Sequence, residues 1–334
     1  MSEIRLNPIT GEWVIIAPER AKRGGNLPGS SARPEIPIFS ATCPFCPGNE
    51  AMTPEERYCV AGPDGRWTLR SVVNKFSVLS PVGDATPHEA AGSTGGRVQA
   101  VGLHEVIVEC REHHLTIGLL PHGHVQRVIE AYRQRFLAFC ADERIRHVIV
   151  FKNHGADAGA SQQHPHSQIV GIPIVPGQVL ARLSRTRRFF RENGCCLACR
   201  LIDEEREQGT RIVAENEHFV AFIPYAALSP YHLWIFPKVH SNCFSDQPVE
   251  TFPMLAAIVQ TVLGKVHGAL GDPAFNLVLR SLGPSERDEE HFHWYISIIA
   301  RVNKVAGFEL GTGMYVNPSL PDDCAKTLRD FPIS

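Results

Sequence analysis

The chain has 334 residues, 43% hydrophobic and 20% charged, with 33 basic and 35 acidic side chains for a formal net charge of −2. That length builds one large core or two ordinary ones, and the near-neutral balance gives no global attraction to nucleic acid or an anionic membrane, so any bound anion must be held by local groups. Met1-Ser2-Glu3-Ile4-Arg5 does not open a leader-like apolar stretch, and no apolar run reaches the roughly 18 residues of a bilayer span; the expectation is a cytoplasmic protein with no nucleic-acid or membrane partner.

Along the chain, residues 24–40 are rich in Gly, Pro and Ser and read as irregular. The pair Cys43/Cys46 follows, and its counterpart Cys196/Cys199 lies 153 residues on. With 16 histidines present, two C-x-x-C pairs in a chain of this size predict metal binding rather than disulfides. Cys59, Cys110, Cys140, Cys195, Cys243 and Cys324 carry no motif and are expected to be buried, inert thiols. Residues 82–98 form a Gly/Ala/Ser/Thr-rich loop. Then come a strand-like run from His104 to His113, a helical pattern through Val125, Val128, Ile129, Tyr132 and Phe136, and the strand HVIVFKN at 147–153. A loop containing Gly155, Gly159 and Ser161 leads into a strand opening with His164-Pro165-His166.

The same order recurs. HLWIFPKVHSNCF at 232–244 carries His240, a helical pattern runs through Met254, Ile258, Val262 and Val266, FNLVLRS at 275–281 reads as a strand, and His291-Phe292-His293 opens the last one. The offsets agree: 240 − 113 = 127, 291 − 164 = 127 and 293 − 166 = 127. Duplication accounts for this. The fold class expected is α+β, with two histidine-rich halves (1–190 and 191–334), each an antiparallel sheet with one long helix packed on it.

Chemistry concentrates at 151–173. Alternation on a strand puts His164, His166 and Gln168 on one face. Gly155, Gly159 and Ser161 let backbone N–H groups approach a phosphate, and Asn153 adds an amide. A neutral imidazole beside such a cradle is placed to attack phosphorus and to leave from a phosphoramidate.

His164-Pro165-His166-Ser167-Gln168 resembles the active-site motif of the galactose-1-phosphate uridylyltransferases, the transferase branch of the histidine-triad superfamily. NPITGEWVIIAPERAKRGG (7–25) resembles that family's opening segment, CPFCPGNE (43–50) its first metal pair, and GFELGTGMYVNPSLPDDCAKTLRD (307–330) the ADP-glucose phosphorylase-like branch. The resemblance implies a duplicated histidine-triad fold and ping-pong nucleotidyl transfer, with His166 as nucleophile and Gln168 on a phosphate oxygen. It implies that Asn153, Gly159 and Ser161 line the phosphates and that Arg20 and Arg23 meet the sugar phosphate. Phe45, Asn74 and Phe76 would surround base and ribose, and Lys304 and Glu309 the hexose. It further implies a zinc site of Cys43, Cys46, His113 and His164, and a homodimer sharing residues across its interface.

The repeat extends the metal reading to a second zinc on Cys196, Cys199, His240 and a fourth ligand. The 127-residue shift indicates His291; the His-Trp pair kept in the phosphorylase-like branch indicates His293. No iron is expected, because 171–183 has no acid and Ser297 and Ile299 stand where the family's histidines would fall. The shift also puts Tyr295 where the first half has Gln168, so the second site is expected to have lost activity. Lys75 replaces an acid common in uridylyltransferases, which leaves two donor pairs open: UDP-glucose with a hexose 1-phosphate, or ADP-glucose with orthophosphate. A dinucleotide hydrolase is disfavoured by Gln168, and a zinc-ribbon nucleic-acid binder by the charge.

Overall fold

The computed structural model describes residues 1–23, 36–86, 88–89, 95–287 and 289–333, without the side chains of 21–23 and 88–89. The N-terminal half holds β1 (Glu3–Leu6), β2 (Trp13–Ile16), β3 (Glu56–Ala61), β4 (Trp67–Val73) and the short pair β5 (His88–Glu89) and β6 (Gly96–Arg97). It continues with β7 (Leu103–Val108), α1 (His122–Cys140), β8 (His147–His154) and β9 (His166–Ile172). Two helices, α2 (Gly177–Asn193) and α3 (Leu197–Gln208), lead to β10 (Ile212–Glu215), β11 (Phe219–Phe222) and β12 (Leu233–Pro237). Then follow α4 (Phe252–Leu270), β13 (Phe275–Arg280), β14 (Tyr295–Ala300), α5 (Gly307–Thr312), β15 (Tyr315–Asn317) and α6 (Pro321–Asp330).

The helical spacings read above are α1 and α4. Val125, Val128, Ile129, Tyr132 and Phe136 are all buried, as are Ile258, Val262 and Val266, whereas Met254 stays 39% exposed near the helix start. Against the expectation that no apolar run reaches a bilayer span, the segment Val249–Leu270, with mean hydropathy 1.3, is long and apolar enough to cross a membrane. Here it is the core helix: Leu255, Ala256, Val262 and Val266 are at most 1% exposed, packed with α1 and the sheet. Gly118 lets the turn before α1 close on α4, since a Cβ there would stand 2.7 Å from the backbone nitrogen of Gly264.

The two expected half-sheets are one. Ten antiparallel strands run β10-β11-β12-β14-β13-β8-β9-β7-β4-β3, and the halves join where β13 pairs with β8, Phe275 opposite His154 and Leu279 opposite Val150. Each half thereby hides an edge that would otherwise expose unpaired backbone groups. A small sheet β1-β2-β15 closes the chain ends, with Tyr315 opposite Val14 in parallel. Residue 190 is no boundary, because α2 runs through it to Asn193 and stops at Gly194 (φ 70°).

Register corrects the repeat offset. In the first half Val106 and Phe151 flank Gln168; in the second, Trp234 and Val278 flank Ser297. Ser297 therefore corresponds to Gln168, Tyr295 to His166 and His293 to His164, an offset of 129 (297 − 168), because the loop before β14 is two residues longer. Tyr295 is thus the counterpart of the first half's His166, not of Gln168. Among the cysteines without a motif, Cys110, Cys243 and Cys324 are buried as expected, whereas Cys59 is exposed on edge strand β3 and Cys140 and Cys195 are half-buried.

Candidate active site

β9 emerges from the Gly155–Gln163 loop and presents His166 and Gln168 to a cleft of about 210 Å³, whose lining includes Phe45, Asn74, Phe76, Ser161 and Gln162. Gly155 and Gly159 both take left-handed φ, 80° and 86°, bracketing a single 3-10 turn, which a side chain at either place would strain. Asn276 of β13 fixes that loop from the other half: its Nδ2 donates to Oδ1 of Asn153 (2.8 Å) and to the carbonyl of Ala158 (2.9 Å).

His166 is 6% exposed. Its Nδ1–H donates to the carbonyl of His164 at 2.8 Å, which leaves the lone pair on Nε2. Burial, reinforced by the nearby Lys152 cation, lowers its pKa below the ordinary imidazole value. Neutral and with one nitrogen committed, the ring has the form a nucleophile requires. Phe45 packs beside it with ring centroids 5.4 Å apart.

Three groups that the sequence reading did not single out support this strand. Glu109, wholly buried, takes Lys152 Nζ at 2.7 Å and the hydroxyls of Tyr132 (3.1 Å) and Ser167. Lys152 also donates to the carbonyl of His166 at 3.2 Å. His104 stands between the amides of the cleft, its Nε2 2.8 Å from Oε1 of Gln168 and 2.9 Å from Nδ2 of Asn74. The signal for the first two was present: an acid and a lysine inside apolar strand runs, which persist when buried only if paired.

Two clusters suit a metal. Ligand atoms of Cys43, Cys46, His113 and His164 lie within 4.8 Å of one another, as do those of Cys196, Cys199, His240 and His293. Cys46 Sγ is 3.4 Å from Nδ1 of His113 and 3.6 Å from Nδ1 of His164; Cys199 Sγ is 3.4 and 3.5 Å from Nδ1 of His240 and His293. Tetrahedral bonds of about 2.3 Å to sulfur and 2.0 Å to nitrogen give sulfur–nitrogen edges of about 3.6 Å, so both sets fit. His164 turns its other nitrogen away, Nε2–H donating to the carbonyl of Cys110 at 2.9 Å, and burial holds its pKa down to about 4, keeping the ring neutral. His291 does not join the second set. The longer loop carries it away, and its Nε2 lies 3.1 Å from Glu289. All four residues of the first set are buried, whereas Cys199 is half-buried and His240 exposed.

The remaining predicted residues are more scattered. Arg20 is exposed on the turn Pro18–Arg23, and the side chain of Arg23 lies outside the described residues. Asn153, near the end of β8, and Gly159, in the loop that follows, stand beside the cleft without lining it, and Lys304 and Glu309 follow β14 far along the chain. Glu309 accepts the backbone N–H of Ala306 at 2.9 Å and so starts α5.

A family model described as galactose-1-phosphate uridyl transferase, N-terminal domain, matches residues 1–176, and a domain of unknown function, DUF4921, matches 121–330. An Arabidopsis thaliana ADP-glucose phosphorylase is 33% identical, over 99% of this chain and 93% of its own. A Thermotoga maritima galactose-1-phosphate uridylyltransferase is 26% identical, over 99% and 98%. Among solved structures, an ADP-glucose phosphorylase from Arabidopsis thaliana with bound ADP-glucose superposes with a TM-score of 0.85 at 30% identity, covering all of both chains. A uridylyltransferase structure gives 0.74 at 26%, covering 98% of this chain and 97% of that one. With a buried, neutral histidine set in this cleft and similarity running end to end, the chain belongs to the galactose-1-phosphate uridylyltransferase family and is a nucleotidyltransferase.

Proposed function

We propose that the protein transfers a nucleoside monophosphate from a nucleotide-sugar to a second phosphate-bearing acceptor through a covalent adduct on His166. Nε2 attacks the α-phosphorus, and sugar 1-phosphate leaves with the electrons of the broken P–O bond. An acceptor phosphate oxygen then attacks the phosphoramidate and the imidazole departs. Gln168 and the backbone amides around Ser161 are available to the charge that develops on the non-bridging oxygens. The Nδ1–H bond from His166 to the His164 carbonyl carries this reading, since it commits the tautomer before substrate arrives.

Family membership supports UDP-glucose with a hexose 1-phosphate such as galactose 1-phosphate. A second reading, phosphorolysis of ADP-glucose, is favoured by the higher full-length identity to the Arabidopsis enzyme and by Lys75 at the cleft wall. Zinc in both Cys2His2 sets is part of the reading. The first metal would organise the loops that carry Phe45 and His164, and each metal would be structural, since four protein ligands leave no position for substrate. So is a homodimer. Val305, Phe308 and Leu310 are 49%, 46% and 80% exposed around Lys304 and Glu309, and a partner covering them would bring those polar groups to its own cleft.

Single-turnover labelling with base-labelled UDP-glucose and ADP-glucose tests both readings. An acid-labile nucleotide adduct is expected from one donor, absent in His166→Ala, which should lose transfer by about 10³-fold or more. Transfer that survives this substitution would sink the proposal.

A further inference from the structure

The second half keeps the face on which the first half carries its nucleophile. Tyr295 and Ser297 stand there in place of His166 and Gln168, and Nε2 of His232 lies 3.0 Å from the Ser297 hydroxyl where Nε2 of His104 lies 2.8 Å from Oε1 of Gln168. What has been added is positive charge. Arg280 is the direct cross-strand neighbour of Tyr295, and Arg182 of α2 is 8% exposed. The Nε of each guanidinium is buried without a hydrogen-bond partner. Among the described residues, no acidic group lies within ion-pair distance of either arginine. Arg182 bears electrostatically on Arg280, and both help burial hold His232 down to about 3.

The carboxylate that acts on Arg280 is Glu12, whose own Oε2 is likewise buried and unpaired. Two cations and one carboxylate leave an excess positive charge in a mostly buried place, where an unpaired charge is costly. Planar guanidiniums with an unpaired Nε–H each and a serine hydroxyl suit a tetrahedral oxyanion. We propose that Arg182, Arg280 and Ser297 form a second anion site in the C-terminal half, one that holds a phosphate group, free or as a phosphomonoester, without transferring it.

Equilibrium dialysis of the full-length, zinc-loaded protein against radiolabelled orthophosphate tests this. Wild type is expected to bind in two classes, one at each half. Arg182→Met and Arg280→Met should each weaken one class about tenfold or more while transfer activity persists, which also reports that the variants fold. Arg280→Lys should keep part of the affinity. Glucose 1-phosphate displacing that class assigns the site to phosphomonoesters; failure to displace it assigns the site to orthophosphate. If neither substitution weakens phosphate binding, Glu12 alone compensates the arginines and the proposal is overturned.

Discussion

Replacing Lys152 by methionine tests the buried frame under the nucleophile. The ammonium is 1% exposed and sits 2.7 Å from a carboxylate that is 0% exposed. Removing one member of a buried ion pair costs about 3–5 kcal/mol, chiefly because the other charge is left uncompensated. Here Tyr132 and Ser167 still donate to Oε1 of Glu109, so the electrostatic loss belongs at the lower end, about 3 kcal/mol. The donor to the His166 carbonyl goes as well, adding about 1 kcal/mol. Urea unfolding of the zinc-loaded protein should therefore show a loss of about 3–4 kcal/mol. The double variant Lys152→Met/Glu109→Gln removes the stranded charge and should regain about 1–2 kcal/mol. Adduct formation on His166 should slow in the single variant, because the peptide that carries the ring loses its anchor. A single variant within about 1 kcal/mol of wild type, or a double variant no more stable than the single, would refute the reasoning.

Other expectations concern the same face and the metals. His104→Ala releases Gln168 and Asn74 together and should lower the rate of adduct formation about 5- to 30-fold, the equivalent of about 1–2 kcal/mol, with little change in stability; stopped-flow quench of the labelled adduct measures it. With zinc in both sets, as proposed, chelator should strip the half-exposed Cys199/His240 metal before the buried Cys46/His113 one, so metal release followed by a dye should be biphasic, and Cys199→Ser should abolish the fast phase. His232 titrates far lower folded than unfolded, so the unfolded state takes up the proton first, and stability present above about pH 6.5 is lost as pH falls towards 3. His232→Gln should flatten that acid limb by up to about 4 kcal/mol in pH-dependent urea melts.

Much of this architecture could be read from the residues. Helical spacing located α1 and α4, and alternation put His166 and Gln168 on one face. The pair Cys43/Cys46 with His113 and His164 assembled as expected, because strand ends and a short loop bring them together. The fourth ligand of the second cluster could not be read from a constant offset. Loop length before β14 changes by two residues, and alternation makes two residues invisible to a pattern of strand faces: His291 and His293 look alike until hydrogen-bond register distinguishes them. His104, Glu109 and Lys152 were missed for another reason. A polar residue in an apolar strand run reads as noise until its partner is known, and these partners lie 64, 58 and 43 residues away.

The continuous sheet explains how the halves could diverge without losing one another. Asn276 of β13 binds Asn153 and the Ala158 carbonyl, so the loop that shapes the first half's cleft is held by the second half's strand. The same seam means β13 and β14 cannot be shed even though β14 carries Tyr295 where β9 carries His166. With the pairing edge fixed by β8, the side chains on the second half's face are constrained only to remain packable and paired. Polar substitution there is cheap if a partner is supplied, and Ser297 with His232 supplies one. Arg182 and Arg280 do not, and no packing requirement calls for two guanidiniums with unpaired Nε atoms on a scaffold that needs only shape. Their presence in that place is therefore better explained by something the face binds than by anything the fold requires.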